Sequence, residues 1–172
     1  DQPQISKEVF LADLPALYRP DFESFPDCTG YLVPDPKRVI YWKEYIRKLP
    51  GKVKVGICWR SGNLEGFRKS TFATIEQWQP IFENKDATFV NLFYGECAEE
   101  LNSIKQKFGV TIHTPPGIDL KNDQDDLAAL MVALDLVISV ASAVGDLSGA
   151  LHDTCTWDLT FRDEAERNWF HC

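Results

Sequence analysis

The sequence predicts an α/β fold built on a doubly wound, mostly parallel sheet of the Rossmann type. Two observations support this prediction. Short apolar segments with strand character alternate four times with helical segments, and the connections are long enough for parallel pairing with right-handed crossovers. In addition, residues 126–151 read as one complete unit: a helix, the apolar strand at residues 136–140, a turn of small residues and a second helix.

The first 36 residues carry six of the ten prolines, with aromatic and leucine residues between them. A disordered segment would contain fewer aromatic residues. Residues 1–36 are therefore predicted to be an irregular segment that packs on another part of the protein. Residues 37–172 form the predicted α/β domain, and residues 37–50 are its leading helix, with Asp35 as N-cap and Pro36 at the first helical position.

The remaining elements follow from hydrophobic periodicity and from the turn residues between them. Two further helices are predicted at residues 72–82 and 97–108. Gly145 and Gly149 should let the last helix approach the sheet closely. If the strands adopt the usual order 3-2-1-4-5, the ligand crevice lies outside the carboxyl ends of strands 1 and 4. The predicted strands are residues 52–59, 88–94, 110–113, 136–140 and 155–159.

The composition of the chain argues against some classes of binding partner. The chain carries 18 Lys and Arg against 26 Asp and Glu, a formal net charge of −8, so neither nucleic acid nor an anionic membrane surface is a predicted partner. No apolar run approaches the roughly 20 residues of a membrane span, and the first residues do not form a signal peptide pattern. The five cysteines fit no disulfide framework and no zinc-ligand spacing. We therefore expect a cytoplasmic protein without a metal site.

The loop after the first strand, RSGNLEGFRKST, combines hydroxyls, flexible glycines and cations at a strand end, which suits a diphosphate. Its spacing does not match the P-loop, and the chain lacks G-x-G-x-x-G, which disfavours both a P-loop ATPase and an NAD-dependent dehydrogenase. A solvated surface loop is the alternative interpretation. The candidate binding residues of this loop are Ser61, Gly62, Asn63, Arg68, Lys69 and Ser70.

The turn after the fourth strand is the second candidate. It offers Ser139, Ser142 and the helix N-terminus near Ala143. Ser142 is placed either as an N-cap or as a phosphate ligand beside the helix dipole. No nucleophile–base pair can be identified in the sequence, so no catalytic residue is predicted.

Several segments resemble a known family. They are YLVPDPKRVIYW, KVGICWRSGN, FRKST and DLAALMVALDLVISVASAVGDLSGAL. The sequence is similar, from about Leu11 to about Trp157, to the C-terminal glycosyltransferase-like region of bacterial tetratricopeptide-repeat proteins. Those are relatives of the ADP-heptose glycosyltransferases of family 9 and, more distantly, of O-linked GlcNAc transferases.

The resemblance implies a GT-B architecture, in which two Rossmann-like domains enclose the active site and the second holds a nucleotide-sugar donor. This chain is similar to that second domain, and residues 1–36 to the tail of the preceding one. Ser142 and the following amides would complete the diphosphate site. No cofactor is implied, because the nucleotide-sugar is a substrate. The resemblance places six residues near the donor phosphates: Trp59, Ser61, Gly62, Asn63, Arg68 and Ser70.

The chain also departs from the family pattern. Where the family typically has Asp-Thr-Ala-Val-Ala-His, residues 141–146 read Ala-Ser-Ala-Val-Gly-Asp. Ala141 removes a carboxylate, and Asp146 places an anion where the family has an imidazole, which would weaken diphosphate binding. The aromatic-rich closing segment and the first GT-B domain are also missing, so we expect a truncated C-terminus and an isolated domain without transferase activity.

Two hypotheses follow. In the first, the chain is the donor-binding half of a glycosyltransferase-like protein. In the second, it is a degenerate, non-catalytic module that binds a ligand or another protein. In either case, a missing N-terminal domain or a second copy is expected to cover the apolar residues between positions 10 and 31.

Overall fold

The computed structural model describes residues 8–25, 30–62, 72–152 and 154–159. Five strands form one sheet in which every pairing is parallel, in the order β3-β2-β1-β4-β5. The predicted fold class and strand order are both confirmed. The strands are β1 (Val53–Cys58), β2 (Ala87–Asn91), β3 (Ile112–His113), β4 (Leu136–Val140) and β5 (Thr156–Leu159).

Helices flank the sheet, as a doubly wound fold requires. Short 3-10 helices also form at Leu11–Asp13, Phe22–Ser24 and Ile75–Trp78. The α-helices of the described residues are α1 (Leu14–Tyr18), α2 (Pro36–Arg47), α3 (Gln79–Phe82), α4 (Ala98–Phe108), α5 (Gln124–Val132) and α6 (Ala143–Ala150).

Local signals explain where α2 begins and how it is held. The Asp35 carboxylate accepts a hydrogen bond from the Lys37 amide at 2.8 Å, which confirms the predicted N-cap. The buried Trp42 indole donates to Asp126 at 3.1 Å, and the same carboxylate pairs with Arg38. Asp126 therefore joins α2 to the first turn of α5.

Aromatic packing holds α3 and α4 on the sheet. The Phe82 ring lies 5.4 Å from Phe89 of β2 and 5.6 Å from Phe108 of α4, between ring centroids. Trp78 stacks on Phe82 at 6.2 Å. Such pairs add about 0.5–1.5 kcal/mol each beyond the apolar area that they bury.

Several predicted boundaries differ from the structure. The leading helix ends at Arg47 rather than at residue 50, and the third strand begins at Ile112 rather than at residue 110. Two further differences have identifiable reasons. The predicted helix 72–82 begins only at Ile75, because Thr74 and Gln77 form a capping box at that point. The second strand ends at Asn91 rather than at Tyr94. The Asn91 side-chain oxygen accepts a hydrogen bond from the Phe93 amide at 2.9 Å, and this bond turns the chain out of the sheet.

The two glycines of α6 differ. A Cβ added at Gly145 would lie 3.4 Å from the Cβ and Oγ of Ser139, so the predicted close approach is confirmed there. At Gly149, which is exposed, such a Cβ would lie within 4 Å of no described residue outside its own helix. The packing role predicted for Gly149 is therefore wrong.

Two residues of the segment before α2 contact the end of α6. The amides of Tyr31 and Leu32 both donate to the Ala150 carbonyl at 2.9 Å, and Leu32 bridges Leu151. Large apolar side chains nearer the N-terminus are exposed among the described residues, including Phe10, Leu11, Leu17, Tyr18 and Phe22. A preceding domain or a second copy that covers them stays a prediction, which the oligomeric state in solution would test. Across the described ranges, no helix has the length and apolar character needed to cross a membrane.

Candidate functional site

The carboxyl ends of β1 and β4 form the topological switch point of the sheet. Cys58 at the end of β1 pairs with Ser139 of β4. From β1 the chain runs to β2 on one side, whereas β4 continues to β5 on the other, so the loops after β1 and β4 diverge and leave a crevice. The two loops selected from the sequence therefore start at the same place.

Three small polar side chains meet at this point. The Ser139 hydroxyl donates to the Val140 carbonyl at 2.8 Å and lies 3.0 Å from the Ser142 hydroxyl. The Cys58 sulfur is 3.9 Å from that Ser142 hydroxyl. Because the Ser139 proton is already used, Ser142 donates to Ser139.

Ser142 occupies the N-cap position of α6, as predicted, but its side chain does not form the capping hydrogen bond. The first amide to bond back along the helix is that of Asp146, which donates to the Ser142 carbonyl at 3.0 Å. The amides of residues 143–145 precede this bond and belong to the unsatisfied first turn of a helix. Free amides at a helix N-terminus are in general suited to bind an anion.

Burial decides the chemistry of Cys58. Loss of hydration raises the pKa of its thiol to about 11, and the hydrogen bonds that the Ser142 and Ser139 hydroxyls would give to a thiolate offset only part of this effect. The thiol is therefore protonated at neutral pH and is not an activated nucleophile. The stability that the neutral thiol supports is fully present below about pH 9 and is lost as the pH rises towards 11.

Thiol alkylation should separate this buried cysteine from an exposed one. We expect iodoacetamide at neutral pH to modify Cys155, which is exposed, and to leave Cys58 intact until the chain is unfolded. Peptide mass spectrometry before and after unfolding measures both sites in one sample. Equal modification of the two cysteines in the folded protein would contradict the burial of Cys58.

Of the binding residues predicted in and beside the loop after β1, three lie in the described part of the chain and four do not. Trp59 is buried: its indole donates to Glu100 at 3.3 Å, and it packs on Phe93. Ser61 is also buried, and the Gly62 amide donates to the Tyr94 hydroxyl at 3.0 Å. The predicted residues Asn63, Arg68, Lys69 and Ser70 lie outside the described residues.

A cavity of about 360 Å³ opens beside these residues, at the carboxyl ends of β2 and β3. Its size falls within the range of small-molecule sites. Tyr94 lines the cavity and also accepts a hydrogen bond from the Gly62 amide, so the cavity wall contacts the loop after β1. Its lining includes Asn91, Phe93, Tyr94, Glu96, Ile118 and Asp119.

Two carboxylates lie in this lining. Glu96 is exposed and accepts the Ala98 amide at 3.1 Å. Hydrogen bonds from the Asn122 side chain and from the backbone at Lys121 and Asn122 lower the pKa of Asp119. Asp119 therefore stays ionised at neutral pH, and the cavity offers acceptors to hydroxyl groups.

A second cavity, of about 450 Å³, lies between α2 and the loop after β3. Although it is larger, its acidic residue Asp126 is already bonded to Arg38 and Trp42. The smaller cavity is the better candidate, because it adjoins the loop after β1.

Sequence reasoning missed three residues of this region. Arg60 forms a forked ion pair with Glu100, and Tyr94 connects β2 to the loop after β1. The pairs are 40 and 32 residues apart, and no local pattern marks them. The only available signal was that each lies within a few residues of a predicted strand end or helix start.

The chain is a Rossmann-like α/β domain whose loops after β1 and β4 diverge at the switch point of the sheet. The chain is 45% identical over 138 residues to Protein FlbA of Caulobacter vibrioides. The match covers 80% of this chain and 23% of that protein, so the chain spans less than a quarter of the length of its relative. No family model matches the sequence, and no solved structure does.

Proposed function

We propose that this domain binds the nucleoside diphosphate part of a nucleotide-sugar, as the C-terminal half of a GT-B glycosyltransferase-like protein. The observation that carries the proposal is that the β4–α6 turn, the loop after β1 and the cavity beside β2 all lie at the carboxyl ends of neighbouring strands. The Gly62–Tyr94 hydrogen bond links the loop after β1 to a residue that lines the cavity.

The switch point supplies the diphosphate site. Ser142 and the amides of residues 143–145 lie together at the start of α6, and a helix N-terminus favours negative charge. Gly145 lets α6 lie directly on Ser139. Arg68 and Lys69 of the loop after β1 are the cations proposed to complete this site.

The cavity beside β2 supplies the nucleoside site. Tyr94, which is half-buried, offers aromatic surface for a base, and Glu96 follows the second strand. In Rossmann-like domains an acidic residue after the second strand accepts hydrogen bonds from ribose hydroxyls. Glu96 is proposed for that role.

The chemistry expected of the crevice is stabilisation of a leaving group. When a glycosyl group is transferred, negative charge develops on the departing nucleoside diphosphate, and preorganised amides stabilise it. Among the described crevice residues, Cys58 is protonated and the two serines bond to each other. A general base and the acceptor site are therefore proposed to lie on another domain, so the isolated domain should bind without transferring.

Isothermal titration with UDP-, GDP- and ADP-sugars tests the proposal. We expect one of them to bind with a Kd in the millimolar range or tighter, and Arg68→Ala and Ser142→Ala to weaken binding by about tenfold each. Arg47→Ala is the matched control, because it removes the same charge from the exposed last turn of α2. It should leave the Kd unchanged.

The opposite result supports the second hypothesis. If a well-folded domain binds none of these nucleotides, the donor-binding proposal is wrong and a degenerate, non-catalytic module is favoured. The observation that favours this second hypothesis is Asp146, which places an exposed carboxylate in the first turn of α6, where it would repel a diphosphate. NAD belongs in the same titration series, since its binding would point to a dehydrogenase.

A further inference from the structure

A polar clamp ties the loop after β1 to the first turn of α4. Its members are Arg60, Glu100 and Phe93. The Arg60 Nε lies 2.9 and 3.1 Å from the two carboxylate oxygens of Glu100, and Nη2 lies 2.7 Å from Oε2. Nη2 also donates to the Glu96 carbonyl at 3.1 Å, and the guanidinium carbon stands 4.1 Å from the centre of the Phe93 ring. The guanidinium is thus held by a carboxylate, a carbonyl and an aromatic face.

This geometry removes Arg60 from the set of phosphate-binding cations. As the first residue after Trp59, it stands at the strand end where a phosphate ligand is expected. However, Glu100 neutralises its charge, and the two side chains are only 18% and 30% exposed. An incoming diphosphate would therefore meet a paired, nearly neutral group, so the contribution of Arg60 has to be geometric.

The clamp connects the two halves of the proposed donor site. On one side, Arg60 is followed directly by Ser61 and Gly62, so fixing Arg60 restrains their backbone. On the other, Glu100 lies in the first turn of α4, directly after the segment 93–97 that walls the cavity. The Trp59 indole donates to the same carboxylate at 3.3 Å, which makes Glu100 the common anchor.

We propose that Arg60 is a positioning residue for nucleotide binding. It acts through Glu100 to hold Ser61 and Gly62 of the loop after β1 in a fixed position relative to the cavity beside β2. This inference rests on the proposed function. A site whose two halves are fixed before binding loses less conformational freedom when the ligand enters. A forked, stacked guanidinium serves this purpose, whereas a lysine ammonium keeps the charge but lacks the fork.

Substitutions can separate geometry from charge. With the nucleotide that the wild-type chain binds, we expect Arg60→Lys and Arg60→Met to weaken binding equally, by about tenfold. Glu100→Gln should also weaken it. If Arg60 instead bound phosphate directly, Arg60→Lys would keep most of the affinity and Glu100→Gln, which releases the cation, would tighten binding. Arg47→Lys, on the exposed end of α2, is the control and should change nothing.

A second readout does not depend on the ligand. The Trp59 indole N–H signal in ¹H–¹⁵N spectra should shift in Glu100→Gln and in both Arg60 variants, and the Gly62 amide should exchange faster with solvent. An unmoved indole signal, or Arg60→Lys binding as tightly as wild type, overturns the positioning role alone. If the wild-type chain binds no nucleotide, the proposed function fails and this inference fails with it, even when the indole signal moves.

Discussion

Replacing Ile57 with alanine is expected to lower the free energy of unfolding by about 2–5 kcal/mol. Ile57 is fully buried in β1, the central strand, where it pairs with Asn91 of β2 and Ile138 of β4. Deleting three carbons there removes apolar contacts on both sides and leaves a cavity that the paired strands cannot close. The loss should appear as a lower midpoint of urea denaturation with an unchanged slope.

Ile40→Ala is the matched control for this stability change. It deletes the same atoms from a side chain that is 60% exposed on α2. The expected change is within about 0.5 kcal/mol of zero, because little buried surface is lost. If the two alanine variants lost the same stability, β1 would not lie at the centre of the core.

Replacing Ala143 with glutamate is expected to weaken nucleotide binding by about tenfold or more relative to Ala143→Gln. Ala143 is exposed at the first position of α6, where the proposed diphosphate site has its amides. Glutamate and glutamine have nearly the same shape, so the difference between the variants measures charge. A carboxylate there repels the diphosphate and competes for the same amides.

The same carboxylate should have the opposite effect on folding. A negative charge near a helix N-terminus stabilises the helix by about 0.3–1 kcal/mol. Ala143→Glu should therefore unfold at the same or higher urea concentration than Ala143→Gln while binding nucleotide less well. Equal affinity of the two variants would show that the ligand does not sit at this helix end and would refute the proposed diphosphate site.

Local sequence signals determined the architecture well. The apolar segments predicted the five parallel strands, because buried parallel strands read as continuous apolar runs, and the strands adopt the usual order on which the expected crevice depended. Asp35 and Pro36 predicted the start of α2, because a cap acts within two residues of the helix end. Errors arose where one side chain redirects the backbone, as Asn91 does by accepting the Phe93 amide.

The sequence alone thus determined the doubly wound fold and the placing of two polar loops at one switch point, since both depend on local periodicity and on chain order. Only the tertiary structure decided how those loops are held. The hydroxyl of Ser142 turns to Ser139 instead of capping α6, Arg60 is paired with Glu100, and Gly62 is bonded to Tyr94. These contacts form only after the carboxyl ends of β1, β2 and β4 have been brought to one edge of the sheet. The order of residues along the chain does not show which side chains come into contact at that edge.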